Sequence, residues 1–491
     1  MPGHVLAVDE GTTGVTVLVL DARRRVVGRA YREIACTYPK PGWVEQDAEQ
    51  VWTASRLAMA SALKAAKLQH RDVAAVGIAN QRETTVLWDR RTGRPVAPAI
   101  VWQDRRTATR CRELQPQWQE AVRSKTGLVL DPYFSATKLE WLLRDRRLAD
   151  RARAGRLAFG TMDSWLAFML TGRHATDPTN ASRTLLWDIR KGTWDEELLD
   201  LFAVPPAVLP EVVPSSHVLG STGRLWASDV PVASLIGDQQ AALFGNHCRS
   251  AGEAKNTYGT GCFALQHTGG RAVASRHGLL TTRAAQVDGR AQFALEGSVF
   301  VAGAAIQWLR DALRLVKKAS DVDALASQVE DSGGAFLVPA FTGLGAPHWD
   351  PEARGALVGL TRGTDRRHLA RAVLDSIAFQ ATDVILAMEK DSGIPVPRLR
   401  VDGGAARSKP LLQMQADLLQ RPVVRPANVE TTAMGAGLLA GLAVDAWSLR
   451  DLTGGSSQET EFKPRMRKAD ASRRMEQWHA AVAAARSFKP G

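Results

Sequence analysis

The stretch Val5-Leu6-Ala7-Val8-Asp9-Glu10-Gly11-Thr12-Thr13-Gly14-Val15-Thr16-Val17-Leu18-Val19-Leu20-Asp21 sets an acidic, hydroxyl-rich glycine turn between two apolar runs. The runs read as strands and the turn as a hairpin connection. Gly11 and Gly14 are expected to take the positive-φ geometry of a tight turn and to leave backbone N–H groups open to an anion. Thr12 and Thr13 add hydroxyl donors, and Asp9, at the end of the first strand, offers a hard oxygen for Mg²⁺. Taken alone, the segment is equally an ordinary hairpin with polar turn residues.

A second strand–turn–strand stretch follows about half a chain later, Glu253-Ala254-Lys255-Asn256-Thr257-Tyr258-Gly259-Thr260-Gly261-Cys262-Phe263-Ala264-Leu265. Two such hairpins opening two similar halves suggest a duplicated α/β fold that closes over one ligand and grips a phosphate chain from both sides. The boundary is expected near 246–252, giving domains 1–246 and 247–491. A third turn, Leu399-Arg400-Val401-Asp402-Gly403-Gly404-Ala405, ends another apolar strand before a helix, where a nucleoside would fit.

Size and composition agree with this plan. A chain of 491 residues calls for two large domains, and 45% hydrophobic with 23% charged residues is ordinary for a soluble globular protein. The four cysteines, Cys36, Cys111, Cys248 and Cys262, lack metal-binding spacing, so reduced thiols and a cytoplasmic location are expected. No signal peptide is expected, and the longest apolar run, 433–444, is glycine-rich and too short to span a bilayer, so no membrane insertion is expected. The net charge of +12 raises a nucleic-acid partner, but the arginines are dispersed and not interleaved with aromatics. They read as a solvated basic surface, and an anionic substrate such as ATP accounts for a basic cleft.

Apolar periodicity places strands at 5–9, 15–20, 73–79, 85–88, 99–102, 232–236, 335–340 and 398–402. It places helices at 47–68, 104–123, 138–149, 300–316, 366–390, 407–419 and 431–443. The basic, alanine-rich stretch from about 467 reads as a surface helix. Four local clusters point to a small polar substrate. Asn80-Gln81-Arg82-Glu83-Thr84-Thr85 follows a strand, where Arg82 and Glu83 would present donors and acceptors to hydroxyls or form a plain salt bridge. Trp102 in Val101-Trp102-Gln103-Asp104 is a pocket wall or a core aromatic. Tyr133 in Asp131-Pro132-Tyr133-Phe134-Ser135 is a packed ring or a hydroxyl donor. Asp238, in Gly237-Asp238-Gln239-Gln240, is a reactive carboxylate or the N-cap of a helix.

Tyr38-Pro39-Lys40-Pro41-Gly42-Trp43-Val44-Glu45, the segments 80–85, 237–245 and 256–263, and Phe341-Thr342-Gly343-Leu344-Gly345-Ala346-Pro347 together resemble the glycerol kinases of the FGGY carbohydrate-kinase family, within the actin-like ATPase superfamily. Residues 133–145 and 355–380 resemble the two stretches that mark that family, and the similarity spans about 5–445. The resemblance implies a duplicated, ribonuclease H-like two-domain α/β fold with the active site in the interdomain cleft. It implies ATP-dependent phosphorylation of glycerol to sn-glycerol 3-phosphate, with ATP and Mg²⁺, and a homo-oligomer, dimer or tetramer, is expected.

By the same resemblance Arg82, Glu83, Tyr133, Asp238 and Gln239 match positions that hydrogen-bond glycerol, and Trp102 and Phe263 match the aromatics that wall it. Asp238 is expected to be the catalytic base. Thr12, Thr13 and Gly14 fit the first phosphate hairpin and Thr260 with Gly261 the second. Gly303, Gln307, Gly404 and Ser408 match nucleotide contacts, and Asp9 and Asp238 resemble the carboxylates near Mg²⁺. The chain departs from the family in Glu10, which usually is Gln, and in Gly14-Val15-Thr16, which usually is Ser-Ser-Arg. Ser408 replaces an Asn. Loss of the arginine removes a phosphate-facing cation, Glu10 is expected to add negative charge near the triphosphate, and Gly14-Val15 is nearer to other sugar kinases. Another polyol or ketose (erythritol, dihydroxyacetone, xylulose) is therefore an alternative substrate, and a non-catalytic actin-like ATPase module is the alternative from another class. The stretch 220–231 contains neither the fructose 1,6-bisphosphate loop nor the phosphorylated histidine of some relatives, so both controls are expected to be absent.

Overall fold

The opening segment forms an antiparallel hairpin of β1 (His4–Gly11) and β2 (Gly14–Leu20), with Gly11 opposite Gly14 and Asp9 opposite Thr16. The structure is a computed structural model describing residues 3–226, 229–452 and 459–488. Around the hairpin are β3 (Val26–Glu33), β4 (Val73–Asn80), β5 (Ser216–Ser221) and β6 (Pro231–Gly237), in the sheet order β5-β6-β4-β1-β2-β3. The second glycine–threonine turn joins β7 (Ala254–Tyr258) to β8 (Cys262–Gly269). With β9 (Leu280–Arg283), β10 (Phe293–Val299), β11 (Leu399–Asp402), β12 (Val423–Arg425) and β13 (Thr460–Phe462) these form a sheet of order β9-β10-β8-β7-β11-β12-β13.

The two sheets repeat one plan. From β3 to β5, and from β10 to β13, successive pairings run antiparallel, antiparallel, parallel, parallel, antiparallel. That shared order is the duplication which the paired hairpins announce. Only β9, at the edge of the second sheet, has no counterpart.

Both faces of the first sheet are covered, which explains why its strands read as continuous apolar runs rather than alternating ones. Leu6, Val8, Val15, Val17 and Val19 join one core with α1 (Ala48–Ala66) and α2 (Met162–Thr171). Val5, Ala7, Leu18 and Leu20 join another with α3 (Asp238–Gly245) and α4 (Thr431–Ala443). The glycine-rich run of the carboxyl half thus crosses to cover the amino-terminal sheet. Its glycines permit close backbone approach: a Cβ on Gly435 would lie 1.9 Å from the Ala241 carbonyl, and one on Gly77 of β4 would lie 2.2 Å from that of Ala436. No helix among the described residues is long and apolar enough to cross a membrane.

Several expectations shift. The helix expected over 104–123 runs Ala108–Thr126, because Asp104 instead organises a turn, accepting from Val44 N (2.7 Å) and Arg106 N (2.8 Å). The helix expected over 138–149 divides into Ser135–Leu142 and Arg146–Arg153, since Asp145 caps the second by accepting from Arg147 N and Leu148 N. That expected over 300–316 shortens to Gly303–Asp311. The terminal helix Lys468–Ser487 is more than a surface element: it buries Met475, Trp478 and Val482 in the second core, and Trp478 Nε1 donates to Asp383 (2.7 Å). Part of the 220–231 stretch, residues 227 and 228, lies outside the described residues.

Candidate active site

The first turn differs in detail from its expected form. Neither Gly11 nor Gly14 takes positive φ. Gly14 instead lies under the exposed Tyr31 ring, where a Cβ would meet Tyr31 Oη at 2.4 Å and the ring would have to shift. The turn's carbonyls point away from the open side: Thr12 O accepts from Gln46 Nε2 (2.7 Å), and Thr13 O accepts from Ile34 N (2.9 Å) and Tyr31 Oη (3.1 Å). Thr13 is exposed and Thr12 half-buried. Trp102 Nε1 donates to Thr12 Oγ1 (2.8 Å), tying this turn to the aromatic of the polyol cluster.

Glu10 does not add charge beside the turn. Its side chain is fully buried and accepts from Gln81 Nε2 (2.8 Å), while Oε2 has no partner. Burial pushes its carboxyl up to about 8, against the Gln81 hydrogen bond and with the help of Asp9, so at neutral pH it is a neutral acid shaped like glutamine. The folded state keeps this proton up to about pH 8, whereas the unfolded carboxyl releases it near its ordinary 4.5, so stability falls as pH rises through that window. Glu10→Gln abolishes the titration. Its gain in Tm over the parent is expected to be smallest near pH 5 and to grow toward pH 8 in thermal melts; a gain independent of pH would contradict this.

The second turn sits on the start of a helix. Gly259 O accepts from Gly303 N (3.0 Å), and Thr260 O accepts from Ala302 N (2.8 Å) and Ala304 N (3.1 Å). A Cβ on Gly303 would lie 2.6 Å from Gly259 O, so this contact demands glycine. Thr260 is exposed at the tip, Gly261 is buried beneath it, and Gln307 is exposed one turn further along the same helix. Gly403 takes φ +87 at the end of β11, and Gly404 beside it is exposed with nothing near its Cβ position. Ser408 is not open to a nucleotide. It is buried, caps the helix Lys409–Leu419 by accepting from Leu411 N, and donates to Asp323 Oδ1 (2.6 Å).

The polyol cluster is far more than a surface salt bridge. Arg82 is 3% exposed and donates through Nη1 and Nη2 to the two oxygens of Glu296 (2.7 and 2.9 Å) and through Nη1 to Gln240 (3.2 Å). Its Nε lies 3.0 Å from Asp238 Oδ1. Glu83 accepts from Arg183 Nε and holds a left-handed backbone, φ 62, which a non-glycine residue adopts at a cost. Its carbonyl accepts from Ser135 Oγ (3.0 Å), which helps to fix that conformation. Burial pushes the Glu83 carboxyl up, against the pull of Arg183 and Arg82. For Glu296 burial is outweighed, and Arg183 and Arg82 hold it at about 2. The rings of Trp102 and Tyr133 meet edge to face at 5.5 Å, with the Arg183 guanidinium 5.1 Å from the Tyr133 ring centre. Burial raises the Tyr133 phenol, so it stays a hydroxyl.

Glu296 and Arg183 join the site although no motif of the sequence contains them. Glu296 hides in Phe293-Ala294-Leu295-Glu296-Gly297-Ser298-Val299, which reads as a broken apolar run. An acidic residue interrupting a buried strand is the one signal that points to it. Lys255 is fully buried in β7 and donates to Gln239 Oε1 (2.5 Å), Thr257 Oγ1 (2.8 Å) and Phe263 O (3.2 Å), so it joins both halves. Burial lowers its ammonium to about 8, with Asp402 and Asp238 opposing.

Asp238 opens α3 without capping it; Gly237 is the N-cap residue. Asp238 Oδ1 accepts from Gln239 N (2.7 Å) and Oδ2 from Gln239 Nε2 (3.0 Å). At 28% side-chain exposure it is far more accessible than Arg82, Glu83 or Glu296. Asp9 is pushed well up by burial and by the neighbouring carboxyls of Asp238, Glu430 and Asp402. Such an accumulation of hard oxygens suits Mg²⁺. No three His, Cys, Asp or Glu side chains among the described residues form a metal-holding group by themselves.

The comparisons with known proteins cover the whole arrangement. The FGGY family of carbohydrate kinases, N-terminal domain, matches residues 4–245, and its C-terminal domain matches 254–444. The chain is 55% identical to the glycerol kinase of Trichlorobacter lovleyi, over 97% of this chain and 98% of that one. It is 50% identical to that of Deinococcus radiodurans over 99% and 98%. Among solved structures, Plasmodium falciparum glycerol kinase with ADP superposes with a TM-score of 0.92 at 33% identity, covering 98% of each chain. A Lactobacillus acidophilus xylulose kinase, TM-score 0.88 at 21% identity over 98% and 97%, shares the fold. The chain therefore belongs to the FGGY family of carbohydrate kinases, with the actin-like ATPase architecture of that family.

Proposed function

We propose that this chain transfers the γ-phosphoryl group of ATP to a primary hydroxyl of glycerol, giving sn-glycerol 3-phosphate and ADP. The observation that carries this reading is the buried Arg82–Glu83 pair beside the accessible Asp238 carboxylate, walled by the Trp102 and Tyr133 rings. Near-full-length identity to glycerol kinases supports it. The amino-terminal unit, 1–246, contributes the polyol pocket and the first phosphate hairpin; the unit 247–491 contributes the second hairpin and the adenosine side.

Phosphoryl transfer asks the protein chiefly for alignment and charge stabilisation. Arg82 and Glu83 orient the non-reacting hydroxyls. Asp238 takes the proton of the attacking hydroxyl as its oxygen bonds to phosphorus and the bond to the ADP oxygen breaks. Thr12, Thr13 and Gly14 from one side and Thr260 and Gly261 from the other hold the phosphates, with Gly303, Gln307 and Gly404 toward the nucleoside. Mg²⁺, held by Asp9 and Asp238 through water and phosphate, would neutralise charge on the phosphates. Closure of the two units excludes water. A cytoplasmic homo-oligomer, dimer or tetramer, completes the reading.

A coupled ADP-release assay across glycerol, dihydroxyacetone, erythritol and xylulose tests it. Glycerol is expected to give the highest kcat/KM. A higher value for xylulose or erythritol would assign the chain to another polyol or ketose, and ADP release that none of them stimulates would leave only an ATPase module.

A further inference from the structure

Resting on the glycerol reading and deepening it, we propose that Glu296 and Arg183 are positioning residues that decide which polar atoms of Arg82 and Glu83 face the polyol, and so which hydroxyl pattern is accepted. The two come from opposite halves of the fold. Glu296 stands on β10 of the second sheet, 214 residues from Arg82, and is completely buried.

The donor count of Arg82 carries the inference. A guanidinium has five N–H groups in a rigid plane. Both Nη1 donors are engaged by Glu296 and Gln240, and one Nη2 donor by Glu296. Nε faces Asp238 at 3.0 Å. Nε pairs with Asp238 by charge without donating a hydrogen bond to it, so its N–H and one Nη2 N–H are both without a hydrogen-bond partner, and the bidentate fork of Glu296 fixes where that edge of the guanidinium points. Arg183 does the same for Glu83. Its Nε engages Oε1, which leaves Oε2 as the acceptor. Arg183 is itself held by charge and by ring faces: Nη1 lies 3.4 Å from Glu296 Oε2, and the guanidinium lies 5.1 and 5.0 Å from the Tyr133 and Phe134 ring centres. Two arginines and two glutamates thus balance in charge, and set the fixed Nε–Nη2 donor edge of Arg82 beside the Oε2 acceptor of Glu83, while Nη1 and Nη2 of Arg183 stay buried without hydrogen-bond partners. That pairing suits adjacent hydroxyls of a short polyol.

The test uses the full chain with ATP, glycerol and erythritol. Glu296→Gln keeps shape but loses the charged fork, so Arg82 is free to turn. The glycerol KM is expected to rise about tenfold or more, the ATP KM to stay within about twofold, and the preference for glycerol over erythritol to fall about tenfold. The double variant Glu296→Gln with Arg183→Gln restores charge balance in the buried cluster and decides the matter even where the single variant folds poorly. A thermal midpoint near that of the parent with a glycerol KM still raised supports positioning. Recovery of both the midpoint and the KM would make the two residues purely structural and overturn the proposal, as would an unchanged glycerol KM in a folded single variant. A parent protein that releases no ADP with glycerol overturns the underlying reading instead, and the inference with it.

Discussion

Asp238→Asn is expected to lower kcat for glycerol by roughly 10²–10⁴-fold, with glycerol KM changed far less. The substitution preserves shape and removes the carboxylate's charge together with its ability to accept a proton. The surroundings of Asp238 make this a clean test. Its Oδ1 is near Arg82 Nε and accepts from Gln239 N, and its Oδ2 accepts from the Gln239 side chain. An amide oriented with its oxygen toward Arg82 keeps those first two contacts, so a collapsed site is not the expected outcome. Helix capping does not enter, because Gly237 occupies the N-cap position. Steady-state rates with saturating ATP decide it, and near-normal turnover would remove Asp238 from the chemistry.

Arg82→Ala is expected to cost twice, in catalysis and in stability. Loss of a charge-assisted hydrogen bond to the polyol, about 1.5–3 kcal/mol, lowers kcat/KM for glycerol by about one to two orders of magnitude. The substitution also leaves Glu296 buried without its bidentate partner, with Arg183 at 3.4 Å and the charge of Lys255 remaining, and breaking a buried pair costs about 3–5 kcal/mol. The parent and variant are compared by denaturant unfolding and by glycerol kinetics at fixed ATP. Unchanged kcat/KM in a folded variant would detach Arg82 from the substrate, and unchanged stability would contradict its burial.

The clusters that a reader of the sequence can find are the local ones. The hairpin 5–21, its echo at 253–265, the 80–85 turn and the 237–245 strand-to-helix junction each carry their pattern within a few residues. Arg183 carries none and Glu296 only its acidic break in an apolar strand, since each acts through partners brought from distant segments. Ser408 shows the converse. Its place in the motif suggests a nucleotide contact, yet its hydroxyl is engaged by Asp323 and the helix cap. Glu10 follows the same rule, because whether a carboxyl is charged depends on burial that spacing does not reveal.

By itself the sequence determined the duplicated strand–turn–strand plan and the family, because strand periodicity and glycine turns are short-range properties of the chain. Only the tertiary structure decided that the glycine-rich helix Thr431–Ala443 covers the opposite half's sheet, that burial pushes the Glu10 carboxyl up, and that three of the five N–H groups of Arg82 are taken by Glu296 and Gln240. Those outcomes depend on burial and on hydrogen-bond partners brought from distant segments, and close packing alone sets both.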